Sequence, residues 1–242
     1  HMAEKTMRLD RFLTEMTALT RIQAKEAARK GRLTVNGVPV KKADGKIDPA
    51  ADTIALDGVV IPYQAVEYYM LNKPAGVVSA TEDGRYPTVL DLIGEKRRKD
   101  LFPVGRLDLD TEGLLLITSD GALAHRLLSP KKHVDKVYFL RYEGRLPEDV
   151  CGRFREGMVL EDGTRCLPAD FEPGERTETG GEARLTLREG KFHQVKRMME
   201  MTGCPVTYLK RLSMGSLVLD ESLRPGEYRP LTEQELEELT RS

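Results

Sequence analysis

The residues best placed by type and spacing to do chemistry lie in Gly105-Arg106-Leu107-Asp108-Leu109-Asp110-Thr111-Glu112-Gly113, which runs straight into the apolar stretch Leu114-Leu115-Leu116-Ile117-Thr118. This pattern predicts a polar loop feeding a buried strand. Such a loop can hold a carboxylate rigidly at the edge of a core, and Gly105 and Gly113 permit a positive φ or a close backbone approach there. Read as a calcium loop from Asp108, the stretch has suitable residues at positions 1, 3, 5 and 6, but Ser119 occupies position 12, where a bidentate glutamate is needed. Read as the aspartyl-phosphatase motif Asp-x-Asp-x-Thr/Val, it fails at Glu112 in the fifth place. What remains is a catalytic carboxylate or a charged turn before a strand. The turn reading suits Asp110 and Glu112, and Asp108 stays open between the two.

Other polar residues sit where chemistry is possible. Lys73 in Asn72-Lys73-Pro74-Ala75-Gly76 is expected near the tip of a turn fixed by Pro74 and Gly76. Tyr138 falls in the alternating run Lys136-Val137-Tyr138-Phe139-Leu140-Arg141-Tyr142, a strand pattern in which a tyrosine is ordinarily half-buried with its hydroxyl satisfied. His193 opens a helix expected over residues 192–199 and has no neighbour at metal-ligand spacing.

The chain that must position these groups has 242 residues, enough for two modest domains with cores that need neither disulfides nor metals. Cys151, Cys166 and Cys204 are odd in number and lack Cys-x-x-Cys or His-paired spacing, which argues against a disulfide framework and a zinc site and suits a reducing cytoplasm. No signal-peptide pattern opens the chain, no apolar run approaches the ~20 residues of a membrane span, and His1-Met2 reads as a cloning remnant. Net charge is −1, yet residues 1–46 carry eleven basic and five acidic residues, a net +6, so the remainder carries −7. That asymmetry points to a basic module that docks on a polyanion, joined to a body with different work.

Within the basic module, Leu9, Phe12, Leu13 and Met16 mark one face of a helix over residues 7–17, with Arg8 and Arg11 near its other side. Thr20 is the expected N-cap of a second helix over residues 21–30, closed by Gly31. Asn36-Gly37 between Leu33-Thr34-Val35 and Val38-Pro39-Val40 signals a hairpin, and Asp57-Gly58 a further turn. Arg21, Lys25, Arg29, Lys30 and Arg32 recur at helical spacing and continue into the turn, forming a cationic stripe suited to phosphates; a solvated helix face is the plain alternative. The domain boundary is expected near residues 62–67.

Beyond it the pattern predicts a strand at 68–71, a short helix at 88–93, a charged surface loop at 94–100 and a helix at 123–128 stopped by Pro130. Further strands are expected at 136–142, 183–187, 206–209, 217–219 and 227–230, with an acidic helix at 233–239. Strands outnumber helices, so the body reads as mixed α+β.

Several separated motifs then share one resemblance. Gly105-Arg106-Leu107-Asp108 with Thr111-x-Gly113-Leu114-Leu115, preceded by Met70-Leu71-Asn72-Lys73-Pro74-Ala75-Gly76 and followed by Gly190-Lys191-Phe192-His193-Gln194-Val195-Lys196-Arg197-Met198, closely resembles the ribosomal-RNA pseudouridine synthases of the RsuA/RluB type. It spans nearly the whole chain, including Leu128-Ser129-Pro130 and Arg224-Pro225-Gly226-Glu227-Tyr228-Arg229-Pro230-Leu231-Thr232. Met7-Arg8-Leu9-Asp10-Arg11-Phe12-Leu13 and Leu33-Thr34-Val35-Asn36-Gly37 resemble the small RNA-binding domain named after the fourth small-subunit ribosomal protein. The fold implied is α+β: an RNA-binding domain at 7–64, then at 65–242 a catalytic domain with a mixed, largely antiparallel sheet.

The resemblance implies isomerisation of a uridine to its C-glycoside: the C1′–N1 bond breaks, the uracil turns, and C5 bonds to C1′. No cofactor and no metal are implied. Asp108 becomes the essential carboxylate, either adding to the sugar or removing its 2′ proton, and Lys196 the cation beside it, keeping the charge but not the fork of the arginine found in many relatives. Tyr138 becomes the residue against the uracil ring. Arg106 resembles the arginine that fills the space left by a flipped nucleotide, with a structural salt bridge as its alternative. Leu107, Lys73, His193 and Gln194 fall in the substrate-binding motifs, and Arg8, Arg11, Arg21, Lys25, Arg29, Lys30 and Arg32 in the RNA-binding set. The expected partner is ribosomal RNA or a ribosomal-subunit assembly intermediate, the expected state a monomer in the cytoplasm away from membranes. Within the family, the runs from Met7 to Leu13, Glu189 to Met199 and Arg224 to Thr232 look most like those of members acting on 16S rRNA. The alternatives are a synthase acting on 23S rRNA and a catalytically silent RNA-binding assembly factor, against which intact Asp108, Tyr138 and Lys196 speak.

Overall fold

A computed structural model describes residues 5–241, so the expected remnant His1-Met2 lies outside the described residues. Two compact units form, one from the residues up to Glu67 together with Gly94–Leu101, the other from Tyr68–Ile93 and Phe102 onward.

In the first unit β1 (Met7–Arg8) leads into α1 (Leu9–Met16), followed by α2 (Arg21–Arg29), β2 (Leu33–Val35), β3 (Val38–Pro39), β4 (Lys46–Ile47), β5 (Ile54–Leu56) and β6 (Val59–Val60). Thr20 caps α2 in a reciprocal box with Gln23, which satisfies two orphan N–H groups of the first turn. Both hairpin turns use the left-handed region at two successive residues, Asn36-Gly37 and Asp57-Gly58, as their sequences predict. Leu9, Phe12 and Leu13 pack with Ala24, Ala27, Ala28, Leu33 and Ile54 in a continuous core, leaving the basic residues of α2 outside. The loop at 94–100 is a correction. Although charged, it is not wholly a surface loop: Arg98 is 6% exposed, its guanidinium bonded to Asp100, Glu15 and the Gln64 carbonyl, while Glu67 accepts the Arg97 and Arg98 N–H groups. A charge can be buried when its partners are folded in with it.

The second unit contains β7 (Tyr68–Lys73), β8 (Phe102–Pro103), β9 (Glu112–Thr118), α3 (Gly121–Leu128), β10 (Lys136–Glu143), α4 (Val150–Glu156), β11 (Asp170–Arg176), β12 (Gly180–Leu187), α5 (Gln194–Met201), β13 (Val206–Met214), β14 (Leu217–Val218), β15 (Tyr228–Pro230) and α6 (Glu233–Arg241). A nine-stranded sheet runs β11-β12-β10-β13-β9-β7-β15, with β14 beside β13 and β8 beside β9. Among the described strands of this sheet, β13–β9 is the one parallel pairing. Met70, Leu114 and Leu116 of the central strands pack against Leu123, Ala124 and Leu127 of α3 and Leu239 of α6.

Two elements had no strong signal. β11 carries Pro173 and Gly174, which weaken any strand pattern, and its pairing with β12 shifts register between Pro173 and Arg176. α4 has seven residues with only Val150 and Phe154 buried, too few for a period to stand out. Two boundaries also move. β13 continues past 209 through Lys210-Arg211 to Met214, and α5 begins at Gln194 rather than 192 because His193 adopts φ +48, outside the helical region.

Candidate functional site

Asp108 sits in the loop joining β8 to β9, and the loop is held by its backbone. Ser79 Oγ donates to the Leu107 carbonyl at 3.0 Å and accepts the Leu107 N–H at 3.1 Å. Gly76 N–H reaches the Leu109 carbonyl at 2.8 Å, and Thr111 N–H the Asp108 carbonyl at 3.0 Å. At the strand entry Gly113 has φ +108, and a Cβ there would lie 2.2 Å from the Arg211 carbonyl oxygen, so only glycine lets β9 approach β13. Gly105 has φ +85 and faces Leu128. Both glycines therefore serve as the sequence suggests.

Lys73 is a second correction. It does not stand at a loop tip; it ends β7 fully buried, with Nζ donating to the carbonyls of Thr111 at 2.7 Å, Pro74 at 2.9 Å and Leu109 at 3.3 Å. Burial lowers its pKa from 10.5 to about 8, against the opposing pull of Asp110, Glu112 and Asp108. The unfolded chain holds this proton more tightly than the folded one, so the group's contribution to stability rises between about pH 8 and 10.5 and is lost as pH falls through 8. In Lys73→Met that segment of the stability–pH curve, measured by denaturant titration, is expected to flatten relative to the unaltered protein. The carbonyls of the loop lose their donor, and the catalytic rate is expected to fall at least about tenfold with Asp108 still present. An unchanged rate would detach Lys73 from the placement of the loop.

Opposite the loop, α5 delivers Lys196. Its Nζ lies 3.1 Å from Asp108 Oδ2 and 2.6 Å from Asp110 Oδ1. Burial disfavours the ammonium, but the bonds to Asp110 and Asp108 outweigh it and hold Lys196 above its ordinary pKa, while the Lys196 bond draws Asp110 down. His193, left-handed at the start of α5, places Nε2 3.3 Å from Asp108 Oδ1 and stacks on exposed Phe192 with ring centroids 3.8 Å apart. Gln194 is buried, its amide donating to Glu189 at 3.1 Å and accepting the Lys191 N–H at 2.9 Å. Glu189, itself 6% exposed, also accepts the Leu167 N–H and the Lys191 ammonium, so this carboxylate organises the turn that launches α5.

These groups surround one cavity of about 680 Å³, within the range of a small-ligand pocket. Asp108, Arg106, Leu107, Tyr138, His193, Gln194 and Lys196 all line it; Lys73 does not. Asp108 keeps a side-chain exposure of 27% toward this space. Tyr138 is 8% exposed, and among the described residues no hydrogen bond satisfies its hydroxyl, unlike an ordinary strand tyrosine. Arg106 is exposed and forms no ion pair among the described residues, which removes the salt-bridge alternative. Sequence reasoning missed Ser79, Glu189, Lys136 and Arg211. The alternation of β10 puts Lys136 on the face of Tyr138 and was available as a signal; Ser79 offered none.

The basic residues of the first unit divide into two groups. Arg8 forks onto Asp10, Arg11 pairs with Glu15 at 2.9 Å, Arg29 with Glu26 at 2.8 Å, and Arg32 forks onto Asp57 at 2.9 and 2.7 Å. Arg21, Lys25 and Lys30 are exposed and carry no ion pair among the described residues.

Comparison with known proteins gives a consistent result. Residues 67–201 match the family model described as RNA pseudouridylate synthase, and residues 7–52 match the S4 domain. An RNA pseudouridine synthase of Bacillus subtilis, YtzG, is 44% identical over 95% of this chain and 97% of its own length. The ribosomal small subunit pseudouridine synthase A of Escherichia coli is 41% identical over 95% of this chain and 98% of its own. A crystal structure of a pseudouridylate synthase superposes with TM-score 0.66 at 38% identity, covering 96% of this chain and 99% of that one.

Proposed function

This chain belongs to the RNA pseudouridylate synthase family, and from that premise we propose that it converts a uridine of small-subunit ribosomal RNA to pseudouridine, with Asp108 as the essential carboxylate. The observation that carries the assignment is the single acidic residue lining the cavity, Asp108, held between Lys196 at 3.1 Å and His193 at 3.3 Å and facing Tyr138 across the same space. An ionised carboxylate in that frame suits either addition to the sugar or removal of its 2′ proton. Tyr138 offers a ring wall for the uracil and a free hydroxyl near it, the group suited to assisting loss of the C5 proton.

The target atom is hidden in a stacked helix, so the nucleotide must be unpaired or flipped out. Arg106, exposed beside the cavity and without an ion pair among the described residues, fits the vacated space and the adjacent phosphates. Leu107 walls the cavity, while Gln194 acts through the Glu189 turn and Lys73 through the loop backbone. The domain at 7–64 holds the RNA and that at 65–242 performs the chemistry. The identity to a small-subunit enzyme supports the 16S target. The reading is of a monomer acting on rRNA or an assembly intermediate in the cytoplasm. No helix among the described residues is long and apolar enough to cross a membrane.

The test is a position-by-position pseudouridine map of rRNA from a deletion strain: one 16S position should lose its modification and regain it on complementation. A lost 23S position would move the target, and an unchanged map would sink the reading. For the stripe, Arg21→Glu with Lys25→Glu and Lys30→Glu is expected to weaken RNA binding about tenfold or more and to flatten its salt dependence. Arg8, Arg11, Arg29 and Arg32 should contribute less, since phosphates must compete with their carboxylates; the pairs exposed on both sides, Arg29–Glu26 and Arg32–Asp57, should yield most easily. Unaltered affinity in the triple variant would return the stripe to a solvated face.

A further inference from the structure

Two cations in the cavity wall, Lys136 and Arg211, form no ion pair among the described residues. Lys136 and Tyr138 project from one face of β10, and Arg211 of β13 is registered directly opposite Tyr138, so the three side chains share that face. All three line the cavity, with Lys136 6% and Arg211 2% exposed. Arg211 Nε donates to the Leu114 carbonyl at 2.9 Å, whereas Nη2 is buried with no acceptor. Lys136 Nζ reaches only the Val134 carbonyl at 3.3 Å, and neither residue forms an ion pair among the described residues. Burial and the nearby Arg211 both lower the Lys136 pKa, with Asp135 opposing them. The one acidic residue in the lining, Asp108, is already engaged by Lys196 and His193. Thr111 Oγ1, also in the lining, is a second buried polar atom without a partner.

A buried guanidinium with an unused N–H is costly to keep unless negative charge reaches it. The reaction assigned above creates such a charge. When the C1′–N1 bond breaks, its electron pair leaves with N1, and the detached uracil is an anion whose charge is shared with O2 and O4. Both routes open to Asp108 have this feature. We propose that Arg211, with Lys136 beside it, is the group that stabilises the detached uracil anion through a carbonyl oxygen and retains the base in the cavity while it turns. Arg211 transfers no proton in this step. The electron pair is used when C5 bonds to C1′, as the Asp108–C1′ ester bond breaks and frees the carboxylate on the addition route, or as Asp108 returns the proton to C2′ on the glycal route; the C5 proton then leaves to a base, and N1 takes up a proton to give neutral pseudouridine.

This inference rests on the synthase reading, and the experiment separates the two. RNA carrying uridine or 5-fluorouridine at the mapped target is followed under single-turnover conditions through cleavage of C1′–N1. Fluorine stabilises the uracil anion by itself, so a site lacking the protein's own stabilisation gains more from it. Arg211→Met is expected to slow the uridine substrate by about 10²- to 10³-fold and the fluorinated one at least about tenfold less, with Arg211→Lys recovering part of the loss. Equal slowing of both substrates would overturn the proposal and fits a phosphate contact or a structural role. Should Arg211→Met not fold, Lys136→Met is read in the same way, and the unaltered enzyme is titrated with 5-nitrouracil, an anion at neutral pH, against uracil. Tighter binding of the anion supports the proposal, and equal affinity overturns it. Failure of the unaltered enzyme to form pseudouridine anywhere would instead remove the reading on which it rests.

Discussion

Asp108→Asn is expected to bind its RNA within about twofold of the unaltered protein and to form no detectable pseudouridine, a loss of about four orders of magnitude or more. The binding should survive because the substitution is isosteric and because Lys196 keeps its 2.6 Å contact with Asp110 when the Asp108 charge is removed. The ammonium is therefore not left buried and unpaired, the usual cause of collapse when one member of an ion pair is deleted. The backbone bonds that hold the loop, from Ser79 to Leu107 and from Lys73 to Thr111, do not involve the Asp108 side chain at all. Chemistry is lost because a carboxamide neither adds to C1′ nor takes the 2′ proton. The measurement pairs a filter-binding isotherm with a tritium-release or mass-spectrometric assay for the product on the same RNA. Full activity in this variant would remove Asp108 from the mechanism whatever its surroundings.

Most of what positions Asp108 was written locally. Gly105 and Gly113 bracket the loop, the apolar run after Gly113 specifies a buried strand, and Asn36-Gly37 and Asp57-Gly58 fix their turns with no help from distant residues. What stayed hidden depends on partners remote in sequence. Lys73 looks like a loop-tip cation until the carbonyls of Leu109 and Thr111 fold over it, and Arg98 reads as surface charge until Glu15 and Asp100 close around it. Arg211 lies beyond the strand expected at 206–209, and the alternation of the longer β13 carries it to the cavity with Leu209. In sequence Asp110 suits a charged turn, yet its 2.6 Å contact with Lys196 shows that two carboxylates share one lysine.

That sharing separates the expected effects of three substitutions around Lys196. Lys196→Met leaves Asp108 and Asp110 facing each other with no ammonium between them, and the transition state loses a fixed charge beside the reacting carboxylate. A drop of about 10²- to 10³-fold in single-turnover rate is expected, the scale of removing one preorganised electrostatic contact. Lys196→Arg retains the charge, but a planar fork must fit a site in which one nitrogen now meets Asp108 Oδ2 at 3.1 Å and Asp110 Oδ1 at 2.6 Å, so partial activity is expected rather than full rescue. Asp110→Asn should cost less than about tenfold: Asp110 has a side-chain exposure of 72%, so its pairing is largely screened by water, and Lys196 remains free to close on Asp108. Rates measured on one RNA target decide between a lysine that serves Asp108 and one that merely ties the loop to α5. If Asp110→Asn proved as damaging as Lys196→Met while Asp108→Asn stayed active, the catalytic carboxylate would be Asp110, and the more exposed member of the pair would carry the reaction.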